Sequence, residues 1–375
     1  MASSDRIVIA IEHHGEVGSL AAEWDELADR MRAPPFSRPG WIAAWAGAFG
    51  GGRVDVIAAR RSERLSGVFP VVRRAARVRS AANAHTPSAD LLAEDDVVAR
   101  ALVVAAYAGN PRAVTLAYLD RSGMSAALAR EAGLAAGYRL AERVMLRAPY
   151  LDIEGEHEAY LKGRRRFAGD LRRRRRRLSE LGVVTFDVDG ATLDELLALE
   201  AAGWKAARGT AITARPSTRR FYADVAAWAD ARGSLRLFAL RLDGRPLAAL
   251  LGLEEAGVLH LLKGGFDPTH AVFSPGQLAL GEAIARAFSA RLRRVELGGG
   301  AEPYKLAWTD TMHERVGVVA FAPGLSGRLG WAMEAKGRSL AEHAGLDRVL
   351  RPGRDRVLVA LDRARTLGRA RRRVT

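Results

Sequence analysis

Residues 258–308 read VLHLLKGGFDPTHAVFSPGQLALGEAIARAFSARLRRVELGGGAEPYKLAW, and the fold expected for the rest of the chain follows from this stretch. The pattern predicts a strand at 258–266, a helix that begins after Ser274, and a second strand at 293–297. Ser274 is a favourable N-cap, and the proline that follows it suits the first helical position. We therefore expect the next three backbone amides to point outward unpaired, as an anion site.

Glycines at the helix start and after the second strand favour a ligand that lies close to the backbone. Gly276 falls in the first helical turn, and a run of three glycines follows the second strand. A glycine permits such an approach because it has no Cβ. The predicted residues for binding an anionic ligand are Ser274, Gly276, Gln277, Leu278, Gly298, Gly299 and Gly300.

Two segments, GGFDPTHAVFSPGQLALGEAIARAF at 264–288 and RRVELGGGAEPYKLAW at 293–308, resemble a known family. They look like the acetyltransferases associated with cellulose biosynthesis (the CelD/BcsL family), a branch of the GNAT superfamily related to the FemAB peptidyltransferases. The combination of SPG, GGG and EPYK carries the resemblance, since each piece alone is a weak signal. It implies acetyl-CoA as co-substrate, with its pantetheine along 261–266 and its pyrophosphate at the helix start.

The resemblance also implies a reaction: transfer of an acyl group to an amine or hydroxyl of a sugar, amino acid or polysaccharide precursor. Such a reaction needs a base, donors for an oxyanion, and a proton for the leaving thiolate. By position, Tyr304 is similar to the tyrosine that protonates the thiolate in the superfamily, and Lys305 to a lysine that holds an oxyanion or phosphate. The candidate bases are Glu302, Asp267 and His270, with Glu296 less favoured because it lies inside a strand.

Residues for the acceptor are expected near the end of a helix predicted at 193–207. Its Trp-Lys and Arg-Gly pairs are similar to a signature of the family on the acceptor side of the cleft. The alternative is an ordinary helix end with basic residues near the dipole and a glycine cap. The predicted substrate-binding residues are Trp204, Lys205, Arg208, Lys263 and His270.

The formal charge of +15 is concentrated in two segments, 162–177 and 351–375, and the rest of the chain is close to neutral. A general coat for nucleic acid is therefore disfavoured. Most arginines of the first segment should form a solvated helix face, but Arg174 falls in its apolar stripe between Leu171 and Leu178. A core-facing arginine needs an anion, either a structural carboxylate or a ligand phosphate. We assign Arg174 to the cofactor site on the strength of the resemblance.

Composition excludes several other classes. The chain has no cysteine, which rules out disulfides and thiolate chemistry, and its eight histidines are scattered, so no metal site is expected. No apolar run approaches the roughly 20 residues of a membrane span, and the first residues show no signal-peptide pattern. We expect a cytoplasmic enzyme.

The predicted fold class is α/β, with tandem GNAT-like domains built on a mixed, mostly antiparallel sheet flanked by helices. The order of helices and strands in the first half is repeated in the second. The predicted domains are 1–154, a GNAT-like domain, and 155–323, the catalytic acyltransferase domain. Residues 324–375 are expected to form a basic helical tail.

Two other functions remain open from the sequence. In the first, the chain is an aminoacyl-tRNA-dependent transferase similar to FemAB, and the arginine helix tracks an RNA backbone. In the second, it is a non-catalytic adaptor of polysaccharide synthesis whose basic tail makes weak contact with a membrane surface. The sequence leaves the acceptor, the acyl chain and the oligomeric state undetermined.

Overall fold

The fold is described from a computed structural model that covers residues 9–50, 54–202, 211–325 and 327–333. In chain order the strands are β1 Ile9–His14, β2 Asp55–Arg61, β3 Arg64–Arg74, β4 Arg77–Ser80, β5 Leu92–Ala93, β6 Ala113–Asp120, β7 Arg139–Asp152, β8 Val184–Val188, β9 Leu235–Leu242, β10 Arg245–Glu255, β11 Val258–Phe266, β12 Arg294–Glu296 and β13 Met312–Phe321. The helices in the same residues are α1 Ala21–Arg30, α2 Pro39–Phe49, α3 Asp96–Tyr107, α4 Met124–Ala135, α5 His157–Lys162, α6 Arg165–Ser179, α7 Leu193–Ala202, α8 Pro216–Ala231, α9 Pro275–Ser289 and α10 Pro303–Leu306.

All of these strands belong to one sheet, in the order β1-β2-β3-β4-β6-β13-β7-β12-β11-β10-β9-β8, with β5 paired to β3. Among the described strands, only the pairs β4 with β6 and β11 with β12 are parallel. The predicted fold class, a mixed and mostly antiparallel sheet flanked by helices in a repeated order, is confirmed.

Strand β13 lies at the centre of the sheet, although it is the last of the described strands in chain order. It pairs with β6 on one side and β7 on the other. Strands predicted separately at 139–146 and 150–153 form the single strand β7, because β13 pairs with the residues between them. The segments 1–154 and 155–323 therefore share one sheet, and the boundary between them stays a prediction.

The two halves also share a core. Helix α2 packs against α8, where the ring of Trp41 meets that of Phe221 edge-on at 5.1 Å between centroids. Gly40 is required at this crossing, because a Cβ there would lie 2.0 Å from the indole of Trp228. Both aromatic rings, Trp41 and Phe221, are fully buried. The halves therefore meet through a close-packed interface.

A single basic helix is predicted at 158–181, but this stretch forms two helices. Helix α5 ends at Lys162, with Gly163 as its C-cap, and α6 begins after Arg164, whose backbone is not helical. Helix α6 packs on the turn before α9 and on α9 itself. Most of the expected tail, 324–375, lies outside the described residues.

Candidate functional site

The central feature of the second half is the separation of β11 from β12. The two strands pair only over Val258 to His260 and Arg294 to Glu296. Strand β11 continues to Phe266 and there pairs with β10 alone among the described strands. On the other side the chain turns away through 298–300. Gly298 still approaches the Leu261 carbonyl, and beyond that contact a gap opens between β11 and the glycine run, with unpaired strand edge available to a ligand.

A β-bulge in β11 lies at the start of the gap. The register against β10 shifts between Leu251 and Gly252, so that Leu262 is an extra residue on β11. Side chains alternate between the faces of a strand, and one extra residue brings positions an odd number apart onto the same face. His260 and Lys263 consequently both face the first half of the molecule.

Helix α9 begins beside the gap, and its start differs from the expected arrangement. Ser274 occupies the N-cap position in a left-handed conformation (φ 53°), and its hydroxyl makes no capping bond. Its carbonyl accepts hydrogen bonds from the amides of Gln277 (2.9 Å) and Leu278 (3.1 Å). The expectation that these two amides are unpaired was wrong, because the backbone turn at Ser274 directs its carbonyl into the helix.

Arg174 binds the hydroxyl that Ser274 does not use for capping. Its Nη1 donates to Ser274 Oγ at 2.5 Å, and its Nε donates to Asp170 Oδ2 at 2.7 Å. Of the two anions that the sequence allowed, the structure contains the structural carboxylate. The guanidinium nevertheless lies at the start of α9 and remains partly exposed.

Gln277 connects α9 to the segment that follows the glycine run. Its Nε2 donates to the carbonyl of Tyr304 at 2.8 Å, and its Oε1 accepts from the buried indole of Trp308 at 2.7 Å. Both ends of the amide are used within the protein. Gln277 therefore positions α10 against α9.

Lys305 holds the glycine run in place. Its ammonium donates to the carbonyls of Gly298 (2.5 Å) and Gly300 (3.3 Å) and pairs with the Glu302 carboxylate (2.8 Å). Gly298 has φ 61°, and a Cβ there would lie 2.0 Å from the Leu261 carbonyl oxygen, so both its conformation and its close approach require glycine. The lysine is buried, so its positive charge acts at the edge of the gap in a medium of low polarity.

Tyr304 lies next to this ammonium and is about half exposed. The Lys305 Nζ lies 5.5 Å from the centre of the phenol ring. Partial burial and the neighbouring Glu302 carboxylate raise the pKa of Tyr304 well above its usual value. The phenol therefore stays protonated through the physiological range, and the raised pKa makes it a weaker acid than an ordinary tyrosine.

Asp267 has a structural task in the turn before α9. Its carboxylate accepts from the backbone amide (2.9 Å) and hydroxyl (2.7 Å) of Thr269 and lies 3.2 Å from His270 Nδ1. Burial would raise the pKa of Asp267, but these hydrogen bonds lower it overall. A carboxylate of low pKa that is already bonded in this way is a poor general base.

Lys263 belongs to a buried polar cluster whose other members the sequence interpretation missed. Its ammonium lies 5.4 Å from the ring centre of Tyr222, whose hydroxyl is 3.2 Å from His85 Nδ1. Burial lowers the pKa of Lys263, while the Glu200 carboxylate opposes that shift. The sequence feature that could have indicated this cluster is Glu200, a glutamate among the leucines of α7. His85 could not be found in this way, because it comes from the first half of the chain.

The other predicted acceptor residues, Trp204, Lys205 and Arg208, lie outside the described residues. His270 lies in the turn before α9, bonded as described above. The structure thus brings the glycine run, Lys305, Tyr304 and the start of α9 together around one gap.

The comparison with known families agrees with this geometry. Residues 164–306 match the family model described as an acetyltransferase (GNAT) domain. This matched segment includes the gap, the bulge, α9 and Lys305, and it is similar to GNAT-type acetyltransferase domains. A search of curated proteins gave no match.

Solved structures resemble this chain in fold. FemX aligns with a TM-score of 0.58 at 11% identity, over 86% of this chain and 100% of that one. The C-terminal domain of a protein provisionally described as a lysylphosphatidylglycerol synthetase, from Agrobacterium fabrum, aligns with a TM-score of 0.53 at 14% identity, over 81% and 92%. A conserved protein of unknown function from Bacteroides thetaiotaomicron gives 0.51 at 12%, over 83% and 100%. At these identities the likeness concerns the fold alone.

The described residues lack the features of two other classes of protein. No helix among them is both long and apolar enough to cross a membrane. Within the same residues, no group of three or more His, Cys, Asp or Glu side chains could hold a metal ion.

Proposed function

We propose that the chain transfers an acyl group, acetyl from acetyl-CoA, to an amine or hydroxyl of a sugar, amino acid or polysaccharide precursor. We further propose membership of the family associated with cellulose biosynthesis, on the SPG, GGG and EPYK segments. The observation that carries the proposal is the gap between β11 and the glycine run, beside the start of α9 and inside the matched segment.

In this proposal the donor lies in the gap, and the unpaired edge of β11 bonds its amide groups. The pyrophosphate binds at the start of α9, where Gly276 leaves room and Arg174 supplies positive charge. The positive charge of Lys305, whose ammonium is already bonded to Gly298, Gly300 and Glu302, favours the oxyanion electrostatically as the acceptor attacks the thioester. Tyr304 then donates its proton to the thiolate as the C–S bond breaks.

Isothermal titration with acetyl-CoA tests the proposal. Wild-type protein should bind in the micromolar range, and Gly276→Asp should weaken binding about tenfold, roughly 1.4 kcal/mol. This change is compatible with the fold, because a Cβ at Gly276 meets Phe266 only at ordinary contact distance. Gly15→Asp, the same change at an exposed turn of the first half, should leave binding unaltered. An affinity that both variants share with wild type would contradict the donor site.

A second candidate is transfer from aminoacyl-tRNA. The observation that favours it is the exposed face of α6, where Arg165, Arg166, Arg172 and Arg176 point to solvent. A phosphate backbone bound by these residues would give an affinity that falls steeply with salt. Titration with charged and uncharged tRNA at two salt concentrations therefore separates the two donors. Absence of binding to both donors would favour a non-catalytic adaptor.

A further inference from the structure

Lys263 lies in the part of β11 that borders the gap, on the face of the strand that is turned away from α9. Leu261 packs into the core formed with α9, whereas Leu262 packs against the core that contains α7 and α8. The Lys263 ammonium lies on this second side, 5.4 Å from the ring centre of Tyr222 in α8, and the residue is partly exposed. A donor whose pyrophosphate binds at the start of α9 leaves this face of the gap to the acceptor.

The carboxylates near Lys263 are already bonded elsewhere. Helix α7 crosses β11 at Gly265, where a Cβ would lie 2.4 Å from the backbone nitrogen of Glu200. Glu200 Oε2 accepts from the amide of Ile212 at 2.7 Å, and Glu302 is paired with Lys305. Both carboxylates act on Lys263 electrostatically, but within the described part of the chain its ammonium forms no hydrogen bond or ion pair.

A second cation approaches the same cluster from the start of α8. Arg215 is the N-cap residue of that helix and is exposed, and its guanidinium likewise forms no hydrogen bond or ion pair with a residue that the structure describes. Burial lowers the pKa of His85 to about 4, and the charges of Lys263 and Arg215 lower it further in the same direction. His85 is therefore neutral near pH 7, and two cations lie around it.

We propose that Lys263 and Arg215 bind an anionic group of the acceptor, a carboxylate or a phosphate, and so hold its amine or hydroxyl toward the gap. The proposal rests on the proposed acyl transfer and narrows the acceptor to anionic compounds. A bound anion gives the ammonium of Lys263 a charged partner and favours its protonated form. Glu302, on the side of the glycine run, would repel such a group. The anionic end of the acceptor therefore lies toward His85, and its nucleophile lies toward the donor.

The experiment is an NMR titration of the full chain labelled with ¹³C-lysine. The chain has only five lysines, so the Cε signal of Lys263 can be assigned by its loss in Lys263→Arg. The first probes are inorganic phosphate and acetate. At least one of them should shift the Lys263 signal to saturation and raise the pKa of Lys263, because an opposite charge favours the ammonium. If neither anion moves the signal, the proposal is overturned.

Three small amines then separate a carboxylate from a phosphate. Glycine, O-phosphoethanolamine and ethanolamine share a primary amine, and ethanolamine has no anionic group. Glycine or O-phosphoethanolamine should bind at Lys263 at least tenfold more tightly than ethanolamine, and the tighter of the two identifies the anion. Equal affinities of all three amines would contradict the proposal. The exposed Lys162 is an internal reference, and a saturable shift of equal size there would mean non-specific binding and would overturn the proposal.

Two arginine variants provide the control. Arg215→Gln should weaken anion binding at Lys263 several-fold, whereas Arg77→Gln, at an exposed arginine of β4, should leave it unaltered. Equal affinities in both variants would contradict the role of Arg215.

Acetyl-CoA tests whether the anion site is separate from the donor site. The anion should still shift the Lys263 signal at saturating acetyl-CoA, and loss of the shift would assign Lys263 to the donor and overturn the proposal. The first titration needs no donor, so the two proposals fail separately. Acetyl-CoA binding without an anion effect at Lys263 removes the acceptor site alone. An anion effect without acetyl-CoA binding keeps the anion site and removes the reaction.

Discussion

Each half of the molecule contains a helix that lies, in chain order, between two parallel strands, and the two helices begin in opposite ways. In the first half, α3 follows β4 and precedes β6, and the Asp95 carboxylate accepts from the amides of Val97 and Val98 at 3.0 Å each. In the second half, α9 lies between β11 and β12. Its N-cap residue, Ser274, makes no side-chain cap, and its hydroxyl contacts Arg174.

The difference bears on which half can bind an anion. Asp95 is ion-paired with Arg61 at 2.6 Å, and its bonds to the amide of Val98 and to Arg61 lower its pKa. A fixed negative charge thus occupies the start of α3 and would repel a phosphate. The start of α9 has a guanidinium in the corresponding place. We therefore expect the acyl donor to bind the second half only.

The largest effect should come from Tyr304→Phe. Helices α10 and α4 each follow the second parallel strand of their half. The second residue of α10 is Tyr304, whereas the second residue of α4 is Ser125, so only the second half has a phenol at this position. Removal of a proton donor should lower kcat about 100-fold and leave acetyl-CoA affinity unchanged. Because the pKa of Tyr304 is raised, the phenol stays protonated at higher pH than an ordinary tyrosine. Wild-type kcat should therefore hold to about pH 10.

Steady-state kinetics across pH checks this prediction. A Tyr304→Phe enzyme with wild-type kcat, or a wild-type rate that falls already near neutrality on the alkaline side, would contradict the role of the phenol. Tyr150→Phe is a suitable control, since Tyr150 lies in β7 on the far side of β12 from the gap.

A smaller effect is expected when the N-cap residue of α9 is replaced by an aspartate, the residue that caps α3. Ser274→Asp introduces a carboxylate where Asp95 stands in the first half and should pair with Arg174. Acetyl-CoA affinity should fall about tenfold, roughly 1.4 kcal/mol, while the melting temperature stays the same or rises. Calorimetric titration beside thermal unfolding separates the two effects. Unchanged affinity would mean that the start of α9 does not contact the donor.

The smallest effect is expected in the first half, when the aspartate that caps α3 is removed. Asp95→Ala removes the cap of α3 and should lower the free energy of unfolding by about 1 kcal/mol, with acetyl-CoA affinity unaltered. The folded pKa of Asp95 is depressed. The stability from its ionised form is therefore present above its ordinary pKa of about 3.9 and is lost as pH falls through the depressed value.

Denaturant unfolding at pH 7 and in the acid range provides the measurement. The difference between wild type and Asp95→Ala should be full at pH 7 and shrink in the acid range. A difference independent of pH, or a change in donor affinity in this variant, would break the comparison between the halves.

The sequence predicted the elements well and their non-local relations poorly. Periodicity located most strands, and the residues of 258–308 indicated the strand, helix and glycine run of the site. The sequence alone could not indicate that β13 inserts between β6 and β7, since that pairing joins residues far apart in the chain.

Predictions for single residues of the site were wrong or incomplete for similar reasons. The left-handed backbone of Ser274 is rare for a residue other than glycine, and no local pattern announces it. The bulge at Leu262 changes which side chains share a face, so strict alternation would have separated His260 from Lys263. Arg174 was correctly expected to need an anion, but the choice of Asp170 depended on side-chain packing.

The most direct measurement of the central claim is hydrogen–deuterium exchange of the full chain with and without acetyl-CoA. The account predicts slower exchange in peptides covering 261–278 and 297–305, and unchanged exchange in peptides covering 93–103 at the start of α3. Slower exchange at 93–103, or no change in either region at saturating acetyl-CoA, would contradict the claim that the second half alone binds the donor.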